Sequence, residues 1–297
     1  IFLLKKGPVV KSKKLESYVL NSFSPSLGWT HKAGSRLKYP DESIIDVYGC
    51  RIDSDADLQE LQGKEIWCFG DSYCFGRYVE CSKSIPKILG AMFETHVRNF
   101  GVGNYGFDQA FLKFEEMLAL VAGKGRFPSR VIMIVVPDTV VRVSTSWRFF
   151  IDGNALAFKP RFSVSNGGDL VKHPNPVRDM TDFLQIWKSY PSHFGDDTGK
   201  RYFYNKLALR RPFIFSVLTQ PLLVLKPGLQ FIFAKIRMTS LGWLVKIVTN
   251  RYRPLLLRHS FYSDNHPAAE TLKSLIQAFE ERCRENGIQP LTVFIPM

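Results

Sequence analysis

The sequence predicts an α/β protein built on a doubly wound parallel sheet and interrupted by a large insertion. Three observations carry that expectation. Three strand–loop–helix units follow one another between residues 46 and 142, the alternation that lays helices over a parallel sheet. The run from Arg130 to Val136 is apolar and β-branched after its first residue, as a central strand covered on both faces requires. The pattern stops after residue 142 and resumes as one helix and one strand at 264–297.

Residues 1–40 are basic and Ser-rich without a clear period, and are expected to form an extension or a loose first layer. Asp46-Val47-Tyr48-Gly49-Cys50-Arg51 leads into an acidic loop, Asp53 to Glu60. Ile66 to Phe69 reads as a buried strand; Gly70-Asp71-Ser72 breaks it, and the apolar spacing from Tyr73 onward suits a helix. Ile85 to Phe93 is a second helical run. Val97 to Gly106 is a strand followed by a Gly-rich loop. From Phe107 to Ala122 the residues Phe107, Phe111, Phe114, Leu118 and Val121 share one helical face, and Gly123 and Gly125 end the helix. Residues 143–200 are rich in aromatics, Pro and Gly and read as an inserted lobe. Asp264-Asn265-His266-Pro267 starts a helix over Ala268 to Asn286, with Pro267 near its first turn. Pro290 to Ile295 is the last strand. The expected division is an N-terminal extension (1–45), a core (46–142), an insertion (143–262) and the second part of the core (263–297).

With 297 residues, 45% of them hydrophobic, and 24 Phe, the chain can bury a large core. Cys50, Cys68, Cys74, Cys81 and Cys283 have no CxxC spacing, which excludes a zinc ribbon and argues against a disulfide framework; Cys68 reads as a small core residue. A reducing, cytoplasmic compartment fits these cysteines. Because the chain starts at Ile1 without Met and ends in a strand, it reads as a fragment cut at both ends, which leaves open whether an export signal preceded it.

The net charge of +13 is concentrated. Thr198 to Ser263 holds twelve Lys or Arg and no Asp or Glu. No nucleic-acid module accompanies these charges, which lie between apolar runs, so nucleic acid is not the expected partner. Within this block Leu229, Ile232, Ile236, Trp243 and Ile247 fall on one helical face, and Lys235, Lys246 and Arg253 on another. Two readings stand: a helix packed on the protein's own core with a solvated basic face, or peripheral contact with an anionic membrane. The longest charge-free run, Pro212 to Leu225, is too short to span a bilayer. There is no P-loop, no dinucleotide fingerprint and no clustered ligand set, so neither a cofactor nor a metal is expected.

Two readings of Gly70-Asp71-Ser72 compete. Asp71 and Ser72 either cap the helix, or Ser72 is a nucleophile at the carboxyl edge of the sheet, where open α/β sheets place ligands. With the loops considered together, the chain resembles the SGNH/GDSL family of ester hydrolases and acyltransferases. Gly70-Asp71-Ser72-Tyr73-Cys74-Phe75-Gly76 matches the family's first block. Asn99-Phe100-Gly101-Val102-Gly103-Asn104-Tyr105-Gly106-Phe107-Asp108-Gln109 matches the second block of one bacterial branch, and the Trp147–Phe150 and Lys159–Phe162 segments look like that branch's insertion. The resemblance covers roughly 46–142 and 264–297. It implies a three-layer αβα, flavodoxin-like sandwich. It also implies Ser72 as nucleophile and an oxyanion hole from the Ser72 N–H, the N–H at Asn104 and the side chain at Thr139. Asn104 stands where the family has Gly, and Thr139 where it has Asn.

The family's fourth block, Asp-x-x-His, has no match here. Asp264-Asn265-His266 has one intervening residue instead of two and precedes a helix, so His266 reads as a helix-start residue, with general base as the alternative; the family's base is expected beyond Met297. His31, His96, His173, His193 and His259 read as structural or surface residues. The resemblance implies attack of Ser72 on an acylated, often acetylated, glycan ester, with the acyl group passed to water or to a sugar hydroxyl. The alternative is a catalytically degenerate module of the same fold in a polysaccharide-biosynthesis or membrane-associated complex.

Overall fold

The computed structural model describes residues 12–38, 41–53, 61, 64–148, 156–186, 197 and 266–296. Its elements, in chain order, begin with α1 (Ser12–Asn21), β1 (Phe23–Ser24), β2 (Gly28–Trp29), β3 (Arg36–Lys38), β4 (Glu42–Ile45) and β5 (Arg51–Ile52). The central units are β6 (Ile66–Gly70), α2 (Ser72–Phe75), α3 (Ile85–Phe93), β7 (Val97–Asn99), α4 (Phe107–Ala122), β8 (Arg130–Val135) and α5 (Thr139–Arg142). They are followed by β9 (Arg161–Val164), β10 (Leu170–His173), α6 (Met180–Ile186), α7 (Pro267–Glu285) and β11 (Gln289–Phe294). The basic block at 198–263, with its membrane reading, lies outside the described residues. Among the described residues no helix is long and apolar enough to cross a membrane.

The principal sheet has four parallel strands in the order β11-β8-β6-β7. Side chains alternate across it, as strand geometry demands. Trp67, Phe69, Val131, Met133 and Val135 enter a core shared with α4 and α7. Ile66, Cys68, Ile132 and Ile134 face the other way, toward Cys74, Ile85 and Leu89 of α2 and α3. Helices therefore flank both faces of the sheet. On the first face Phe279 of α7 meets Phe107 and Phe114 of α4 edge-on at 6.0 and 5.4 Å, and Phe69 stacks on Phe100 at 4.8 Å.

The N-terminal segment is more closely integrated than a loose layer. The boundary expected at 45/46 falls inside the antiparallel sheet β3-β4-β5. Residues 12–23 and 147–186 also share a second core, in which Leu15 and Phe23 pack with Trp147, Leu156, Phe158, Val177 and Phe183. The described parts of the N-terminal segment and the insertion thus pack partly on one another and partly on the main core, which Ile52 and Phe162 join.

A charged layer lies under the β4–β5 turn. The Arg98 guanidinium grips Glu65 with two nitrogens, at 3.0 and 3.1 Å, and a third lies 3.6 Å from Asp46. Arg51, fully enclosed, donates to Asp41, to the Ser43 hydroxyl and to the carbonyls of Phe75, Gly76 and Val79. Three of those bonds satisfy carbonyls at and beyond the end of α2, groups that a helix terminus leaves open. Lys113 of α4 is buried beside the Phe100 ring, and its ammonium donates to Gly49 O at 3.3 Å.

Burial lowers the Lys113 pKa from 10.5 to about 8, with Cys50, Glu116, Asp46 and Cys74 acting against that shift. Below pH 8 both folded and unfolded chains carry the charge and its burial cost is fully felt. Between pH 8 and 10.5 only the unfolded chain keeps the proton, so the cost fades as pH rises. Lys113→Met is therefore expected to stabilise the protein by an amount on the order of 3 kcal/mol at pH 7. The advantage should shrink steadily toward pH 10.5, as read from paired urea melts.

Candidate active site

Because the sheet is parallel, the loops after β6, β7 and β8 all leave its carboxyl edge. The first turn is possible only with glycine at position 70. A Cβ there would stand 1.9 Å from Ile134 O and 2.9 Å from the Cys74 Cβ. Asp71 then caps α2, its carboxylate accepting the Tyr73 N–H at 2.9 Å. Ser72, the first helical residue, is half-buried, and its hydroxyl has no hydrogen-bond partner among the described residues. The helix is shorter than the spacing suggested, because Gly76 turns left-handed at φ 74° and closes it after one turn.

The capping reading and the catalytic one divide between neighbouring residues. Asp71 is the cap, and it does more than cap. Its second oxygen accepts Arg142 Nη1 at 2.7 Å, and the same nitrogen donates to Tyr105 O at 2.8 Å. The Asp71 side chain is 1% exposed and that of Arg142 11%. One buried ion pair thus ties the loops after β6, β7 and β8 together.

The 99–106 loop packs directly on α2. Asn99 turns its amide to both sides, accepting the Gly101 N–H at 3.0 Å and donating to Phe75 O at 3.3 Å. Val102 N–H reaches Gly70 O at 3.0 Å. A Cβ on Gly101 would meet Phe75 N at 2.4 Å, so the loops approach this closely only because that residue is glycine. Asn104 is exposed and takes the left-handed conformation, φ 66°, which Asn tolerates better than most residues. Its N–H has no hydrogen-bond partner among the described residues.

Thr139 is not brought to the open side of these loops. It is 1% exposed, and its hydroxyl oxygen accepts the Phe107 N–H at 2.7 Å, capping α4. Counting along the sequence assigned it an oxyanion-donor role; its oxygen instead lies at the buried N-terminus of α4. Asp138, one residue earlier and half-buried, is the more accessible polar side chain of that loop.

His266 caps α7. Its Nδ1 accepts the Ala268 N–H at 3.1 Å, and burial lowers its pKa. With Nδ1 occupied as an acceptor, the neutral ring carries its proton on Nε2, which then cannot accept one from a serine. The helix-start reading of His266 holds, and the base role does not fit this tautomer. Among the other histidines, His31 lies 4.6 Å from the Phe75 ring with a buried, unpartnered Nε2. Burial, with Lys113, Arg51 and Arg77 nearby, lowers its pKa to about 4. His96 sits by Glu65 at 3.4 Å, and His173 pairs with the Ser163 hydroxyl at 2.7 Å. His193 and His259 lie outside the described residues.

The five cysteines are free and buried; burial pushes the thiols of Cys68, Cys81 and Cys283 up to about 12. They are therefore protonated at neutral pH and poor nucleophiles. Among the described residues no group of three His, Cys, Asp or Glu could hold a metal ion.

The contacts that sequence reading missed are those of Arg142, Arg148 and Trp29. Arg148 Nη1 donates to Asn104 O at 3.1 Å, and Trp29 Nε1 to Gly103 O at 3.0 Å. Nothing local marks them, since each acts on a loop at least 37 residues away. Compared with family models and with curated proteins, the chain matches none.

Removing one charge of a buried pair strands the other, at a cost of about 3–5 kcal/mol. Asp71→Asn keeps an acceptor for the Tyr73 N–H but leaves the Arg142 charge uncompensated. It is expected to lower stability by about 3 kcal/mol, seen as a drop in the urea midpoint with an unchanged m-value.

Proposed function

We propose that the chain is a serine-dependent ester hydrolase or O-acyltransferase of the SGNH/GDSL kind, acting on acylated glycans. The observation that carries this reading is the half-buried, unpartnered Ser72 hydroxyl beside an unpaired Asn104 N–H loop at the carboxyl edge of a parallel sheet. The strand order β7-β6-β8-β11 also supports it, being the order of a flavodoxin-like sheet, whose ligands sit between the ends of its first and third strands. Here those ends carry Ser72 and Asp138. Tyr73, which follows the serine in the chain, is 46% exposed and offers a flat, amphipathic face to a sugar ring.

In this reading Ser72 attacks the ester carbonyl once a base has taken its proton. The Ser72 and Asn104 N–H groups hold the resulting oxyanion, and collapse expels the glycan alkoxide, leaving an acyl-serine. Water or a second sugar hydroxyl then takes the acyl group. The loss of one oxyanion donor costs about 2.7–4 kcal/mol, so a hole without Thr139 works more slowly than one with the family's Asn. The base belongs outside the described residues.

A second reading, a binding module that keeps the fold without the chemistry, is favoured by Thr139 capping α4 and by the His266 tautomer. Fluorophosphonate labelling of the full-length protein separates the two. Labelling is expected in the wild type and lost in Ser72→Ala; equal labelling of both proteins, or none in either, supports the binding module. Asn104→Gly should label as fast as the wild type, since glycine reaches φ 66° easily and keeps the N–H.

A further inference from the structure

The orientation of the Asn104 N–H is set from outside its own loop. A trans peptide holds its C=O and N–H pointing in opposite directions, so whatever grips the carbonyl of residue 103 aims the N–H of residue 104. That grip is Trp29 Nε1, 3.0 Å from Gly103 O. We infer that Trp29, from the N-terminal layer, is the positioning residue of the oxyanion hole, turning the Gly103–Asn104 peptide so that its N–H faces the reacting carbonyl.

The surrounding bonds leave this peptide no other anchor. Gly101 N–H goes to the Asn99 side chain, Val102 N–H to Gly70 O, Tyr105 N–H to Val102 O and Gly106 N–H to the Gln109 side chain. The carbonyls of Asn104 and Tyr105 are taken by Arg148 and Arg142. Trp29 itself cannot drift. Its carbonyl accepts the Tyr105 hydroxyl at 2.6 Å, its ring meets the Tyr105 ring edge-on at 6.0 Å, and Leu27 O two residues earlier accepts Gln109 Nε2 at 2.7 Å. The indole N–H is thus held by the same block of chain that it orients, which keeps the donor in place before substrate arrives.

This inference rests on the proposed esterase chemistry. The test replaces Trp29, in the full-length protein, by benzothienylalanine, an indole isostere without the N–H, and separately by Phe. Both are assayed for Ser72-dependent fluorophosphonate labelling and for p-nitrophenyl acetate hydrolysis. Since outright removal of an oxyanion donor lowers kcat about 10²–10³-fold, loosening one should lower kcat and the labelling rate about 10–100-fold, with KM within about twofold. The isostere keeps the packing, so its thermal midpoint should match that of the wild type while its kcat falls with that of Trp29→Phe. Ser72-dependent labelling at the wild-type rate in the isostere overturns the role of Trp29 and leaves the esterase reading standing. No Ser72-dependent labelling in the wild type overturns both.

Discussion

The Asp71–Arg142 ion pair is the constraint on which the site depends. The Asp71 carboxylate is 1% exposed, and a charge buried that deeply is costly unless it is paired; the single Arg142 nitrogen that answers it also holds the carbonyl of Tyr105. The residue before the candidate nucleophile, the loop beside it and the helix after β8 therefore move as one body. Such a pair adds little net stability over an apolar substitute, because desolvation offsets its attraction. Its use here is geometric: it leaves one relative arrangement of three loops that backbone sterics alone would leave free.

The rest of the frame comes from segments outside the parallel sheet. Helix α1, Phe23 of β1 and the described part of the inserted lobe build a second core around Trp147 and Phe158, stacked at 5.1 Å. Trp29, packed on the main core, holds Gly103, and from the lobe Arg148 reaches Asn104 and Lys159 reaches Asp108. Lys159 and Asp108 are both wholly buried. Burial lowers the pKa of Lys159, and the Asp108 carboxylate acts against that shift. Gly28 allows a close approach between extension and lobe, since a Cβ there would lie 2.3 Å from Phe158 O. The described parts of both thus brace the 99–108 block.

Much of the fold was legible because its signals are local. The face made by Phe107, Phe111, Phe114, Leu118 and Val121 marked α4 to the residue, and the β-branched run marked β8. His266 was legible as a helix start, since proline at the next position suits a first turn. Asn104 was legible as a left-handed position because few residues other than Gly and Asn take one. The N-terminal layer was not legible. Its strands are two to four residues long, too short to show a period of two. The partner of Thr139 was not legible, because it is a fact of space: the Phe107 N–H that its oxygen accepts is 32 residues away.

By itself the sequence determined the order of the parallel strands and the helices that flank them, the break at Gly70-Asp71-Ser72 and the backbone freedom of the 99–106 loop, because these follow from the spacing of apolar residues and the steric needs of single positions. The tertiary structure alone decided which polar groups remain unpaired. Every N–H and carbonyl seeks a partner, and those that bond Thr139, fix Asp71 and hold the Gly103–Asn104 peptide come from stretches that meet only after folding.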